Sequence, residues 1–179
     1  TRCREFSQFG PYFYGFIFKF YDGLVSLQHA RQDRNNTNLI KNAEECIRAV
    51  QDASEHGPDN FKNKHHLLLA EFAFFDGCTE KALEHYDKAI DLAEKNGNLW
   101  EAGLACHRAL VFCLEIIDMD AAPRYYADAC RFYRAWGGTA LVQHLVTMYN
   151  DQLSAFSTVT GESDRKRKSR RRRKKICHE

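Results

Sequence analysis

The residues with chemical reach in this chain are eight histidines, seven cysteines and a wide scatter of carboxylates. Their spacing decides what they could do. His65 and His66 are adjacent, so on a helix their side chains diverge by about 100° and close one tetrahedral metal site poorly. They read as solvated or interface histidines. Cys106 and His107 offer a thiol beside an imidazole, the raw material of a nucleophilic pair. Adjacent helical positions, however, send one toward a core and the other away, with no orienting partner or oxyanion donor in view. The cysteines at 3, 46, 78, 106, 113, 130 and 177 form no CxxC, and Cys106 and Cys113 stand seven apart, as two core positions on one helix face do. They read as reduced, buried thiols of a cytosolic protein. Glu71 differs from the other carboxylates because it sits inside an apolar stretch, between Ala70 and Phe72. It is expected to project into a hairpin groove and pair with a base, with ligand binding as the alternative. No phosphate-binding loop, GxGxxG, GxSxG, HExxH or calcium-loop pattern occurs. No catalytic, metal-binding or cofactor-binding residue is assigned, and no cofactor is implied.

The elements that would position these residues follow from a nine-residue rhythm recurring about forty positions apart. Residues 82–90 read ALEHYDKAI and residues 122–130 read APRYYADAC. Each sets a small residue, an aromatic four further on and an Ala three beyond: Ala82/Tyr86/Ala89 and Ala122/Tyr126/Ala129, with a weaker copy at Ala43/Ile47/Val50. Offsets of 0, 4 and 7 lie on one helical stripe. Repetition of that stripe is the mark of stacked helix hairpins, none of which buries its apolar face alone. Helices are expected over Tyr12–Arg31, Leu39–Glu55, Phe61–Phe75, Glu80–Lys95, Leu99–Ile116, Ala121–Trp136 and Ala140–Tyr149. The stops between them include Gly57-Pro58, with Asp59 or Asn60 as the next cap, and Asp76-Gly77-Cys78, with Thr79 as cap. Asn96-Gly97-Asn98 and Gly137-Gly138 close the later helices. Pro123 is tolerated in a first turn, and Gly103 lets a neighbour approach closely. Tyr86, Tyr126, Trp100 and Trp136 read as core aromatics. The first helix is aromatic nearly all round, which implies burial on more than one side.

The expected fold is therefore all-α, a right-handed tetratricopeptide-like stack of antiparallel hairpins with about seven helices. A lead-in segment covers 1–11, the helical domain 12–153, and a disordered basic tail 154–179. The longest apolar run, Tyr12–Phe18, is far short of a membrane span. Charge divides sharply along the chain. Residues 1–160 hold 16 Lys and Arg against 21 Asp and Glu, and residues 161–179 hold 10 against 3. A mildly acidic body gives no support for a nucleic-acid surface on it. The tail carries the positive excess in Arg165, Lys166, Arg167, Lys168, Arg170, Arg171, Arg172, Arg173, Lys174 and Lys175. Such a run reads as a nuclear-import signal, a tether to nucleic acid or anionic lipid, or an incidental stretch.

Several pieces carry a resemblance to a known family. They are Gly57-Pro58-Asp59-Asn60-Phe61 with Lys64, LLLAEFAFFDG, ALEHYDKAIDLAEKNG, the Glu101–Ala105 start of the fifth helix, and YYADACRFYRAWG followed by ALVQHL. Together, over residues 12–149, they resemble the tetratricopeptide-like helical region of hybrid sensor histidine kinases of the fungal type and of related bacterial multi-sensor kinases. In those proteins the region follows a protein-kinase-like domain and an AAA-type ATPase domain and precedes a GAF sensor domain and the histidine kinase. This chain departs from that order after about Leu153, where the basic tail begins, and it contains no phospho-accepting His box, nucleotide site or receiver Asp. The resemblance implies a non-catalytic interaction or coupling module, cytoplasmic, whose partners are neighbouring ATPase and sensor domains or another signalling protein. The alternatives are a stand-alone adaptor directed to the nucleus by its tail, and a small helical enzyme with an unrecognised site. A ligand in the groove of the stack would meet Lys64, His65, Glu71, His107 and Arg108 on the inner helices.

Overall fold

The computed structural model describes residues 6–116, 118, 120–149 and 152, with side chains from Tyr14 onward. Six helices are α1 (Phe6–Gln32), α2 (Thr37–His56), α3 (Pro58–Asp76), α4 (Thr79–Lys95), α5 (Leu99–Ile116) and α6 (Ala122–Trp136). A seventh, α7, covers 139–149, and no strand occurs among the described residues. The lead-in residues 1–5 and the basic run 165–175 lie outside the described residues.

Short connections force neighbouring helices to reverse, which gives the hairpins α1–α2, α3–α4 and α5–α6. Each hairpin packs on the next through α2–α3 and α4–α5, and alternate helices α1–α3 and α3–α5 also touch. One core runs through the stack, from Phe20 and Leu27 of α1 to Val142 and Leu145 of α7. Small residues make the close approach possible. Ala43, Ala70, Ala82, Ala102, Ala109, Ala122 and Ala129 are all fully buried. Gly103 of α5 is the extreme case, for a Cβ built there would lie 2.6 Å from the ring of Tyr133 on α6.

Three helix ends share one chemistry. Gly77, Gly97 and Gly137 take positive φ of 76°, 73° and 94°, the left-handed region that costs glycine little. The amide after each reaches back over the last turn: Cys78 to Ala73, Asn98 to Ala93 and Gly138 to Tyr133, at 2.8, 2.8 and 2.7 Å. These bonds satisfy carbonyls that a helix end otherwise leaves unpaired.

Several expectations are corrected. α1 starts at Phe6 and continues through Gly10-Pro11, which the sequence places in a lead-in segment. Pro11 stands close enough to the helix start that few intrahelical bonds precede it. Gly57 is not left-handed but has φ −138°, because it ends α2 and begins α3 in a single residue. Neither Asp59 nor Asn60 caps α3; Pro58 occupies the first turn directly, its fixed φ suiting that place. Thr79 lies inside α4, and Cys78 precedes it as the cap residue without a side-chain bond. Of the adjacent pair Tyr125 and Tyr126 in α6, the buried one is Tyr125, 1% exposed, whereas Tyr126 only packs against the edge of the core. An offset of three serves a helical stripe as well as an offset of four. Trp136 is 53% exposed, since it follows the last core turn of α6 and lies over Trp100 with ring centroids 5.1 Å apart.

Candidate functional site

Glu71 is the centre of the polar interior. It sits in the middle of α3 with no exposure at all, where an unpaired carboxylate would be untenable. Three other helices supply its partners. Arg31 at the end of α1 donates from Nη1 to Oε2 at 2.6 Å. Arg108 of α5 donates from Nε to Oε1 and from Nη2 to Oε2, both at 2.7 Å, a fork matched to a carboxylate. The Tyr86 hydroxyl of α4 donates to Oε1 at 2.8 Å. Four bonds fill the acceptor capacity of the two oxygens. Burial pushes the Glu71 carboxyl up, but the hydrogen bonds and charges of Arg108 and Arg31 outweigh it and hold the group below its ordinary value. Burial, then the Glu71 charge, pushes the Tyr86 hydroxyl well up, so it remains a donor. Arg31 is fixed a second time: its guanidinium lies 4.2 Å from the Phe74 ring centre, and its Nη2 donates to Gln28 at 2.9 Å.

A second tie joins the other ends of α3 and α5. The Lys64 ammonium is nearly buried and reaches Glu101 Oε1 at 2.6 Å, Glu101 Oε2 at 2.7 Å and the Asn60 carbonyl at 2.7 Å. Asn63 donates from Nδ2 to the same carboxylate at 2.5 Å, leaving its own Oδ1 buried without a partner. The even helices are joined likewise at the surface: Asp87 of α4 accepts from Tyr125 and Arg124 of α6, at 2.9 and 2.8 Å, and Glu94 accepts from Arg131 at 2.9 Å.

A regular separation underlies these ties. Lys64–Glu101, Glu71–Arg108, Asp87–Arg124 and Glu94–Arg131 are all pairs 37 residues apart. The glycines that end α2, α4 and α6, at 57, 97 and 137, recur every 40. The partner in the next hairpin therefore sits three positions before the equivalent residue: equivalent residues of parallel helices point the same way, so the one that faces back across the contact is a different position of the turn. That offset is the signal by which the sequence could have paired acid with base, since each pair is visible once a 37-residue shift is applied.

Of the five residues expected to line a groove, Lys64, Glu71 and Arg108 are drawn into these internal ties. His65 and His107 remain half-buried beside them. His107 Nε2 lies 3.2 Å from the Tyr149 hydroxyl of α7. Burial, then the Arg108 charge, lowers its imidazole to about 4. His66 of α3 and His85 of α4 meet with their Nδ1 atoms 3.1 Å apart, so one donates and the other accepts. That contact excludes protonation of both. Burial, then the neighbouring His85 and His65, lowers His66 to about 4. Sequence reasoning did not pick out Arg31, Glu101, Tyr86 as a hydroxyl donor, or the His66–His85 contact. The described cysteines are all free, with Cys46, Cys106, Cys113 and Cys130 buried and Cys78 exposed. Burial pushes Cys46 to about 11 and Cys113 to about 12, so neither is a thiolate at neutral pH.

Chemically, the arrangement locks charge in place. Every proton-accepting direction of Glu71 is occupied, and the Lys64 ammonium makes three short bonds. Compared with protein-family models, with curated proteins and with solved structures, the chain matches none.

Proposed function

We propose that this chain is a non-catalytic helical-repeat module that couples flanking protein domains, in the manner its resemblance to sensor histidine kinases implies. The observation that carries the reading is the Arg31–Glu71–Arg108 tie. One buried carboxylate joins the first, third and fifth helices, so a push on the first hairpin is felt by the third without a hinge between. A stack held in this way passes motion on by moving as a body. The buried ties suit a part whose work is geometric, because the charged side chains that a reaction would draw on are spent in holding helices together. No described helix is long and apolar enough to cross a membrane. The partners are other protein domains, in this chain or in another signalling protein.

Reading the coding sequence on both sides is the test. ATPase-like sequence upstream and a GAF-like domain downstream support the coupling role. A start codon just before Thr1 together with a stop after Glu179 overturns it and leaves the stand-alone adaptor, whose nuclear direction by residues 165–175 is then measured by deleting them and following localisation.

A further inference from the structure

The outer side of α1 is anomalous for a stacked helix. Phe18 is 74% exposed, Tyr14 65%, Val25 54% and Tyr21 41%. Scattered apolar side chains on a surface need no account, but four on one stripe do. Their spacing of 4, 3 and 4 is the seam of a two-helix packing, with Tyr14 and Tyr21 at one core position and Phe18 and Val25 at the other. A shallow groove of about 420 Å³ coincides with this stripe, lined by Gly15, Phe18, Lys19, Tyr21, Asp22 and Val25. Inside the stack, α3 and α5 are covered by the preceding helices α2 and α4; among the described residues no helix precedes α1.

We propose that this face joins a second copy of the chain, α1 against α1 in antiparallel register about a two-fold axis. The stripe matches itself in that sense. Pairing residues whose numbers sum to 39 sets Tyr14 against the partner copy's Val25 and Phe18 against the partner copy's Tyr21, so every exposed apolar group meets another. Charge selects the same orientation. Lys19 and Asp22 lie on one flank of the seam, and an antiparallel pair brings like flanks together, so each Lys19 meets the other copy's Asp22. Parallel pairing would set Asp22 against Ile17 and Leu24 on the apolar flank. Lys19 has no ion-pair partner among the described residues. Asp22 uses only Oδ2, which accepts from Asn42 at 3.0 Å and from the Cys46 thiol at 3.7 Å; Oδ1 is left for the Lys19 of the other copy. Gly15 carries no side chain and has nothing within 4 Å of its Cβ position, which admits a close neighbour. A seam of about three turns per copy is at the small end of specific interfaces, so the association belongs in the micromolar range.

Sedimentation equilibrium of the 179-residue chain from low-micromolar to sub-millimolar concentration tests this, with circular dichroism to confirm that each variant is folded. A monomer–dimer equilibrium is expected, weakened at least about tenfold by Phe18→Glu. Lys19→Glu weakens it as well, and adding Asp22→Lys restores it. Val146→Glu and Met148→Glu, exposed on α7 at the far end of the stack, leave it unchanged. A chain that stays monomeric throughout overturns the proposal and leaves the face to a helix of another kind. Dimerisation insensitive to Phe18→Glu overturns it too, and sensitivity to the α7 variants would mean head-to-tail stacking instead. Failure of the charge reversal to restore association in a folded double variant rules out the antiparallel two-fold register.

Discussion

Glu71 is the most fully buried charged side chain among the described residues. Removing it leaves two guanidinium groups in the interior without a counter-charge, so Glu71→Ala is expected to destabilise the fold by about 3–5 kcal/mol, as loss of one member of a buried ion cluster does. Replacing the whole cluster by apolar residues of similar shape, Arg31→Met, Glu71→Leu and Arg108→Met together, should cost far less, because no charge is then stranded. Urea unfolding of the two variants separates attraction within the cluster from the penalty of breaking it. Two half-buried histidines contribute to the response to acid. His66 and His107 titrate in the folded state at about 4, below the ordinary value near 6.5. The unfolded chain therefore takes up their protons first. Their contribution is complete above about pH 6.5 and is lost as pH falls from there toward 4. Glu71, held below its ordinary value, contributes in a lower window: its share is present above about pH 4.5 and disappears on further acidification. His107→Gln should flatten the difference in stability between pH 7 and pH 5, measured by denaturant midpoints at the two values.

At the scale of elements, glycines decide how closely helices meet. A methyl group at Gly103 would enter the ring of Tyr133 at 2.6 Å. Gly103→Ala should destabilise by about 1–3 kcal/mol through overpacking, despite the better helix propensity of alanine. Gly15→Ala, with nothing within 4 Å, should stabilise by about 0.5–1 kcal/mol. Thermal melts of the two at dilute concentration give opposite signs if approach distance is the cause. The helices themselves were legible, since α5 matches the expected Leu99–Ile116. The Gly77 and Gly137 stops carry their own conformational signature in the residue type. Tyr125 against Tyr126 was not legible. Both offsets fit one stripe, and only the packing of α6 in the stack, where Asp87 of α4 accepts from the Tyr125 hydroxyl, selects the first.

For the whole molecule, the ties between alternate helices predict that local damage spreads along one row. In Glu71→Ala, amide exchange should accelerate in α1, α3 and α5 together and much less in α6 and α7, as native-state exchange by mass spectrometry would show. Composition and a forty-residue apolar period by themselves determined that the chain is helical and that its helices come in stacked pairs, because burying one stripe per helix allows little else. They also singled out Glu71, lodged among apolar residues, as expected to pair with a base, with a ligand as the alternative. Which bases pair with it was decided only in three dimensions. Residues that face each other across alternate helices are not equivalent positions of the repeat, so partners fall 37 residues apart while the pattern repeats every 40, and the apolar period alone does not say which offset brings acid to base. The same holds for the exposed stripe of α1. Its aromatics look like core from the sequence, and they lie outside because hydrophobic periodicity shows that a face must be covered without showing what covers it.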